Sequence, residues 1–160
     1  MRIGIVSDTH GNIPILNRVV EQMGEIDLYI HLGDFVTDGK NVFSQLKAKN
    51  IIVKGNCDLL EETDEEIIVE INNKKFLITH GHKYNIKYGY NNIYYRALEE
   101  ETDVVLFGHT HMPLLLWYKE ILFFNPGSTA YPKGGNEASY GIIEIVDGEI
   151  YPEIFEIKSE

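Results

Sequence analysis

The chain has little cysteine, little arginine and no long apolar run. Each shortage excludes something. Cys57 is the only cysteine among 160 residues, so no disulfide can form within the chain and the usual cysteine-based zinc sites are ruled out. A metal here must be held by His, Asp, Glu or Asn. No stretch approaches the roughly 18 apolar residues of a membrane span, and the apolar opening Met1 to Val6 is too short for a signal-peptide core, so a cytoplasmic protein is expected. Lys and Arg number 14 against 25 Asp and Glu, for a formal charge of −11. A surface of that sign repels nucleic acid, whose general affinity for proteins comes from Lys and Arg at its phosphates. Small phosphate esters stay open, because a pair of divalent ions leaves a local site cationic inside an acidic protein. No repeat, low-complexity tract or Gly/Ser linker divides the sequence, and residues 1–160 are read as a single domain.

What is present is alternation. Arg2–Ser7 is a short apolar run, followed by Ile13, Leu16, Val19, Val20 and Met23 at helical spacing over Ile13–Met23. Leu28–Leu32, a helix over Lys40–Lys49 and a strand over Ile51–Lys54 repeat that order, which implies a largely parallel sheet with helices packed on it. Hairpins then enter. Glu66–Ile71 and Lys75–Thr79 flank Asn72-Asn73, Leu114–Tyr118 and Ile121–Phe124 flank Lys119-Glu120, and Tyr140–Val146 and Glu149–Ile157 flank Asp147-Gly148. A helix over Asn91–Glu101 and a buried strand over Val104–Phe107 complete the list. That many strands exceed one open sheet of this length, so two mixed sheets face to face with flanking helices are expected, a four-layer α/β/β/α sandwich. The acidic runs Glu61–Glu66 and Glu99–Glu101 read as solvated surface. Tyr84, Tyr88, Tyr90, Tyr94 and Tyr95 read as packing or interface before they read as substrate contacts.

The histidines are placed rather than scattered. Ser7-Asp8-Thr9-His10 follows the first strand, Gly33-Asp34 the second and Gly55-Asn56-Cys57-Asp58 the third, while Thr79-His80-Gly81-His82 and Gly108-His109-Thr110-His111 follow two later ones. Ligands of open α/β sheets bind outside the carboxyl ends of the strands, so five strand ends are expected to offer nitrogen and oxygen donors at one rim. Asp8-x-His10 alone is explained equally well as a helix cap. Two imidazoles either side of Thr110 are harder to bury without partners. Imidazole, carboxylate and amide oxygen suit Mn, Fe, Co, Ni or Zn better than Ca or Mg. Seven candidate ligands, Asp8, His10, Asp34, Asn56, His80, His109 and His111, exceed what one open catalytic ion accepts, which favours two ions. His31, inside a strand, is read as a hydrogen-bonded core residue.

In this order, Asp8-x-His10, Gly33-Asp34, Gly55-Asn56-x-Asp58, His80-Gly81-His82 and Gly108-His109-x-His111 resemble the signature of the calcineurin-like metallophosphoesterases, and most nearly the small single-domain phosphodiesterases of prokaryotes. The likeness spans almost the whole chain and implies a four-layer sandwich. It also implies that Asp8, His10 and His111 hold one divalent ion, that Asn56, His80 and His109 hold another, and that Asp34 bridges them, manganese being the first choice of metal. The implied reaction is hydrolysis of a small phosphodiester, a nucleotide among the candidates, by a hydroxide bridging the ions; a monoester is the alternative substrate. Larger relatives carry His where this chain has Cys57, so Cys57 becomes the candidate proton donor, with Asp58 beside it and His82 at the substrate phosphate. Asp58 also suits a capping or turn role. Asn125-Pro126-Gly127-Ser128 is similar to a loop that shapes the rim of the site. A relative in the retromer sorting complex uses the scaffold for protein binding but lacks ligands that this chain retains. The apolar segment Leu114-Leu115-Leu116-Trp117 suggests pairing between subunits.

Overall fold

The structure, a computed structural model, describes residues 1–158; the last two residues of the expected domain lie outside it. Ten strands form two five-stranded sheets. The first sheet has the order β10-β9-β1-β2-β3, built from β1 (Arg2–Val6), β2 (Leu28–His31), β3 (Lys49–Ile52), β9 (Ser139–Val146) and β10 (Glu149–Glu156). The second has the order β4-β5-β6-β8-β7, from β4 (Glu66–Ile71), β5 (Lys74–Thr79), β6 (Val104–Leu106), β7 (Leu114–Tyr118) and β8 (Ile121–Asn125). In each sheet three strands run parallel, β1-β2-β3 and β5-β6-β8, and antiparallel strands flank them. The expected pair of mixed sheets is therefore present.

The layers follow from the two-residue period of strands. In β6 and β8, Val104, Leu106, Leu122 and Phe124 point to a core shared with Ile3, Ile5, Leu28 and Ile30 of the facing sheet. The alternate residues Val105, Ile121 and Phe123 pack outward with Ile93 and Ala97 of α3 (Asn91–Glu99). On the opposite side, Leu16, Val19 and Met23 of α1 (Ile13–Met23), with Val42 and Phe43 of α2 (Val36–Phe43), cover Val6, Tyr29 and Ile142. Buried on both faces, the central strands read as continuous apolar runs. Asn12 caps α1 by accepting the Ile15 N–H at 3.2 Å, and Pro14 sits in its first turn, where its missing N–H costs nothing.

Several elements differ from the sequence expectation. The second helix runs over Val36–Phe43 rather than Lys40–Lys49, because its start is capped from a distance: Asp58 Oδ1 accepts the N–H groups of Phe35 and Val36 at 2.8 and 3.0 Å. No local pattern reveals a cap 22 residues away. The third strand is Lys49–Ile52 rather than Ile51–Lys54, its parallel register with β2 running from Leu28↔Lys49 to His31↔Ile52. Lys49 and Asn50 join the ladder through their backbones while their side chains stay in solvent, so hydrophobicity does not mark them. The third helix ends at Glu99, two residues short of expectation, and single 3₁₀ turns at His82–Tyr84 and Ile86–Tyr88 were not expected. All three hairpins form, with both turn residues of each at positive φ.

Candidate metal centre

The six parallel strands of the two sheets end at one rim, and the loops there are bonded to each other. Asp8 N–H donates to the Gly33 carbonyl at 3.0 Å, Gly108 N–H to the His80 carbonyl at 3.1 Å and Ser128 Oγ to the Asp8 carbonyl at 2.8 Å. Close approach requires missing side chains. A Cβ on Gly55 would stand 2.2 Å from Asp34 Oδ1, and one on Gly108 would stand 1.9 Å from Ser7 Oγ. Neither atom can move aside without displacing a candidate ligand.

Within this rim, one donor atom from each of Asp8, His10, Asp34 and His111 lies within 4.8 Å of the others. The tautomers follow from the hydrogen bonds. His80 Nδ1–H donates to the Leu32 carbonyl and His111 Nδ1–H to the Tyr131 carbonyl, both at 2.7 Å, so each neutral ring presents its Nε2 lone pair to the centre. Those lone pairs meet other lone pairs. His111 Nε2 is 3.1 Å from Asp8 Oδ1 and 3.5 Å from His10 Nε2, and His80 Nε2 is 3.5 Å from Asp34 Oδ1. Asp8 Oδ1 and His80 Nε2 are buried without a hydrogen-bond partner. Buried acceptors facing acceptors are costly unless a cation lies between them, so the donor set fits a divalent metal.

The charges agree. Burial alone would raise the Asp8 carboxyl, but the approach of His111 and the hydrogen bond from Ser7 outweigh it and hold Asp8 below the usual range. The same contact with Asp8 raises His111, against burial. A pair that attracts a proton in this way is also suited to a cation. Burial lowers His82 and takes His109 down to about 4. Both rings are neutral at pH 7, the state in which imidazole binds metal.

Asp8, His10, Asp34, His109 and His111 have φ of 54°, 45°, 59°, 64° and 59°. Left-handed backbone at five of seven candidate ligands costs each residue on the order of 1–3 kcal/mol, and such strain concentrates at functional sites. A second group of rings adjoins the first: His80 lies 5.1 Å from His109 and 5.4 Å from His82, between ring centroids. The structure brings Asp34 between the two groups, with Oδ2 3.8 Å from His10 Nε2 and Oδ1 3.5 Å from His80 Nε2. Asn56 and Cys57 are exposed at the rim, where the Cys57 N–H donates to Asp34 Oδ1 at 2.9 Å. Burial, with the Asp34 charge, pushes the Cys57 thiol up to about 11.

Asp58 is elsewhere occupied. Its two oxygens accept the N–H groups of Asp34, Phe35, Val36 and Gly55 between 2.8 and 3.0 Å, and the residue is buried. It holds the Asp34 loop to the Gly55 loop. His31 is the expected core residue, fully buried, with Nδ1 accepting the Gly33 N–H and Nε2–H directed at Thr9 Oγ1. Thr9 in turn donates to Asp38 Oδ2, which also takes the Gly11 N–H. Ser7, Thr9, Asp38 and Tyr131 were missed as supports of the site. Only their being next to ligand blocks marked Ser7 and Thr9, and nothing local marked Asp38 or Tyr131. Asn125, in the loop expected to shape the rim, is fully buried beneath it and donates to the Gly108 carbonyl and to Thr110 Oγ1.

A two-sheet sandwich with an Asp/His metal centre at its parallel strand ends defines a metallophosphoesterase. The chain belongs to the calcineurin-like phosphoesterase superfamily, whose domain matches residues 1–148. It is 35% identical over 146 residues to the probable metallophosphoesterase YsnB of Bacillus subtilis, covering 91% of this chain and 85% of that protein. It is 34% identical to the phosphodiesterase YfcE of Escherichia coli, covering 90% of this chain and 88% of the other. Among solved structures, a Streptococcus pneumoniae protein described as a predicted phosphoesterase superposes with a TM-score of 0.82 at 30% identity, covering 98% of this chain and 92% of that one.

Proposed function

We propose that this chain is a divalent-metal-dependent phosphodiesterase acting in the cytoplasm on a small diester, with residues 1–160 forming one domain. The observation that carries the reading is a buried meeting of acceptors: Asp8 Oδ1 and His80 Nε2 have no hydrogen-bond partner, and they face His111 Nε2 at 3.1 Å and Asp34 Oδ1 at 3.5 Å. In this reading Asp8, His10 and His111 hold one ion, Asn56, His80 and His109 a second, and Asp34 reaches both. The position of Asp34 between the two ring groups supports that assignment. Two divalent ions at such a centre supply an activated water near neutral pH and neutralise charge on phosphoryl oxygens. Manganese is the metal proposed, and the mixed nitrogen and oxygen donors also accept iron, cobalt, nickel or zinc.

The chain's own groups do the positioning. Asp8 Oδ2 is pinned by Ser7 Oγ at 2.6 Å and by the His109 N–H at 3.1 Å, which leaves Oδ1 directed at the centre. His82 would meet the phosphate if protonated, but burial beside His80 favours its neutral form, so it is assigned to the rim of the site. Cys57 keeps its proton at neutral pH and is a weak donor to a leaving group, which suits esters whose leaving groups need little protonation. Asp58 is assigned to hold the ligand loops rather than to transfer protons, since both its oxygens are filled.

A diester is favoured over a monoester because two of the three arginines are tied up in ion pairs and the third, Arg18, lies within α1 rather than in a ligand loop. Arg2 pairs with Glu144 and Arg96 with Glu66, Glu99 and Glu100, and the relative YfcE is a phosphodiesterase by name. Hydrolysis of bis(p-nitrophenyl) phosphate and of p-nitrophenyl phosphate, compared under Mn²⁺, tests the choice. The diester should turn over faster, and equal or faster monoester turnover would reverse the assignment.

A further inference from the structure

Each sheet has two edges, and three of the four carry devices that discourage pairing with another chain. β10 has Pro152 with Glu149, Glu153 and Glu156, β4 has Glu66 and Glu70, and β3 is four residues long and begins at Lys49. Charges, proline and shortness are how edge strands avoid unwanted pairing. β7 has none of them. Its sequence is Leu114-Leu115-Leu116-Trp117-Tyr118, and Leu115, Leu116, Trp117 and Tyr118 are 43%, 40%, 46% and 46% exposed.

We infer that β7 is the contact surface for a second copy of this chain, joined edge to edge across a two-fold axis. The hydrogen-bond pattern selects the register. β7 and β8 are joined by the two-residue turn Lys119-Glu120, with Tyr118 opposite Ile121, so Tyr118, Leu116 and Leu114 spend their backbone groups on β8. Leu115 and Trp117 therefore direct N–H and C=O outward. Pairing Leu115 with the partner's Trp117, and Trp117 with the partner's Leu115, makes four hydrogen bonds. Sliding by two residues in one direction brings in Pro113, which has no N–H, and in the other direction the turn. In the favoured register Leu116 meets its own copy on the axis as a non-hydrogen-bonded pair, about 4.5 Å apart between Cα atoms.

The occupant is a second copy for three reasons. Two chains of charge −11 repel except where neither is charged, and β7 is five residues without charge. The other edges are guarded, so β7 of one copy finds its match only in β7 of the other, which closes a dimer instead of propagating a fibre. Beside the strand, Leu116 and Tyr118 line a groove of about 360 Å³ with Tyr94, Tyr95 and Phe123, and Lys119 at its end lies over the Tyr94 and Tyr118 rings. Tyr95 is 67% exposed, so the apolar surface of β7 continues onto it.

Size-exclusion chromatography with light scattering on the full chain tests this. The wild type should have twice the mass of one chain, and Leu116→Lys, which opposes like charges on the axis, should have the mass of one. Leu115→Pro removes only an outward N–H and leaves the β7-β8 ladder whole, so it should also give monomer with unchanged circular dichroism. In a Cys57→Ser background, Leu116→Cys should form a reducible covalent dimer on mild oxidation, because the axial distance suits a disulfide. A monomeric wild type, a dimer that survives both Leu116→Lys and Leu115→Pro, or a dimer that Leu116→Cys does not cross-link, would each overturn the inference.

Discussion

Asp34 is the residue at which the proposed chemistry and the backbone meet. Its φ of 59°, its place between two imidazole groups and the contact that excludes any side chain at Gly55 all serve one carboxylate. Asp34→Asn and His109→Ala should lose bound metal and turnover together, by more than about 100-fold in activity, beyond the 10–100-fold typical of groups that only orient ligands. Elemental analysis beside the diester assay checks this, and wild-type activity at wild-type metal content would contradict it. His31 makes a prediction about stability. Burial lowers it to about 4, so between pH 6.5 and 4 the unfolded chain binds a proton that the folded one refuses. Stability from this group is full above pH 6.5, falls as pH drops through that window by on the order of 3 kcal/mol, and loses nothing more below 4. Urea unfolding across pH 7 to 4 reads it, and a flat profile over that range would refute the assignment.

At the scale of elements, α2 shows how a helix and a site share one anchor. Gly39 in its interior and the absence of a capping side chain at Phe35 weaken it locally, and Asp58 supplies the cap from the next strand end. The same carboxylate fixes the Asp34 and Gly55 N–H groups. Asp58→Ala should therefore cost about 2–3 kcal/mol of stability, since buried donors are left unpaired, and should also weaken metal binding by loosening Asp34. Thermal unfolding and metal titration of the variant report the two effects separately. Loss of turnover with stability and metal affinity intact would return Asp58 to proton transfer.

The whole molecule places two sheets so that three parallel strands of each end at the same rim. Loops from both sheets supply the proposed ligands: Asp8, His10, Asp34 and Asn56 from one, His80, His109 and His111 from the other. A cation held there ties the two sheets together and binds only the folded state. Removing divalent metal with a chelator should lower the melting temperature, and Mn²⁺ should restore it, by about 2.7 kcal/mol at a hundredfold excess over Kd. In Asp34→Asn the chelator should change little. An equal shift in wild type and variant would place the stabilising ion somewhere other than this centre.

Much of this was legible in the residues alone. Apolar runs, helical spacing and turn pairs identified ten strands, three helices and three hairpins, because burial on one or two faces imposes a period on the chain itself. The candidate ligands were visible because they follow those runs and because imidazole and carboxylate have few other reasons to cluster at strand ends. Tertiary structure alone decided where α2 begins, that Asp58 spends its oxygens on four backbone N–H groups, and that His80 and His111 turn their lone pairs inward. It also decided that five of the proposed ligands sit in left-handed backbone. Hydrophobic period and residue chemistry are properties of neighbours in sequence, whereas a cap, a tautomer or a strained turn is set by groups that only folding brings within hydrogen-bond reach.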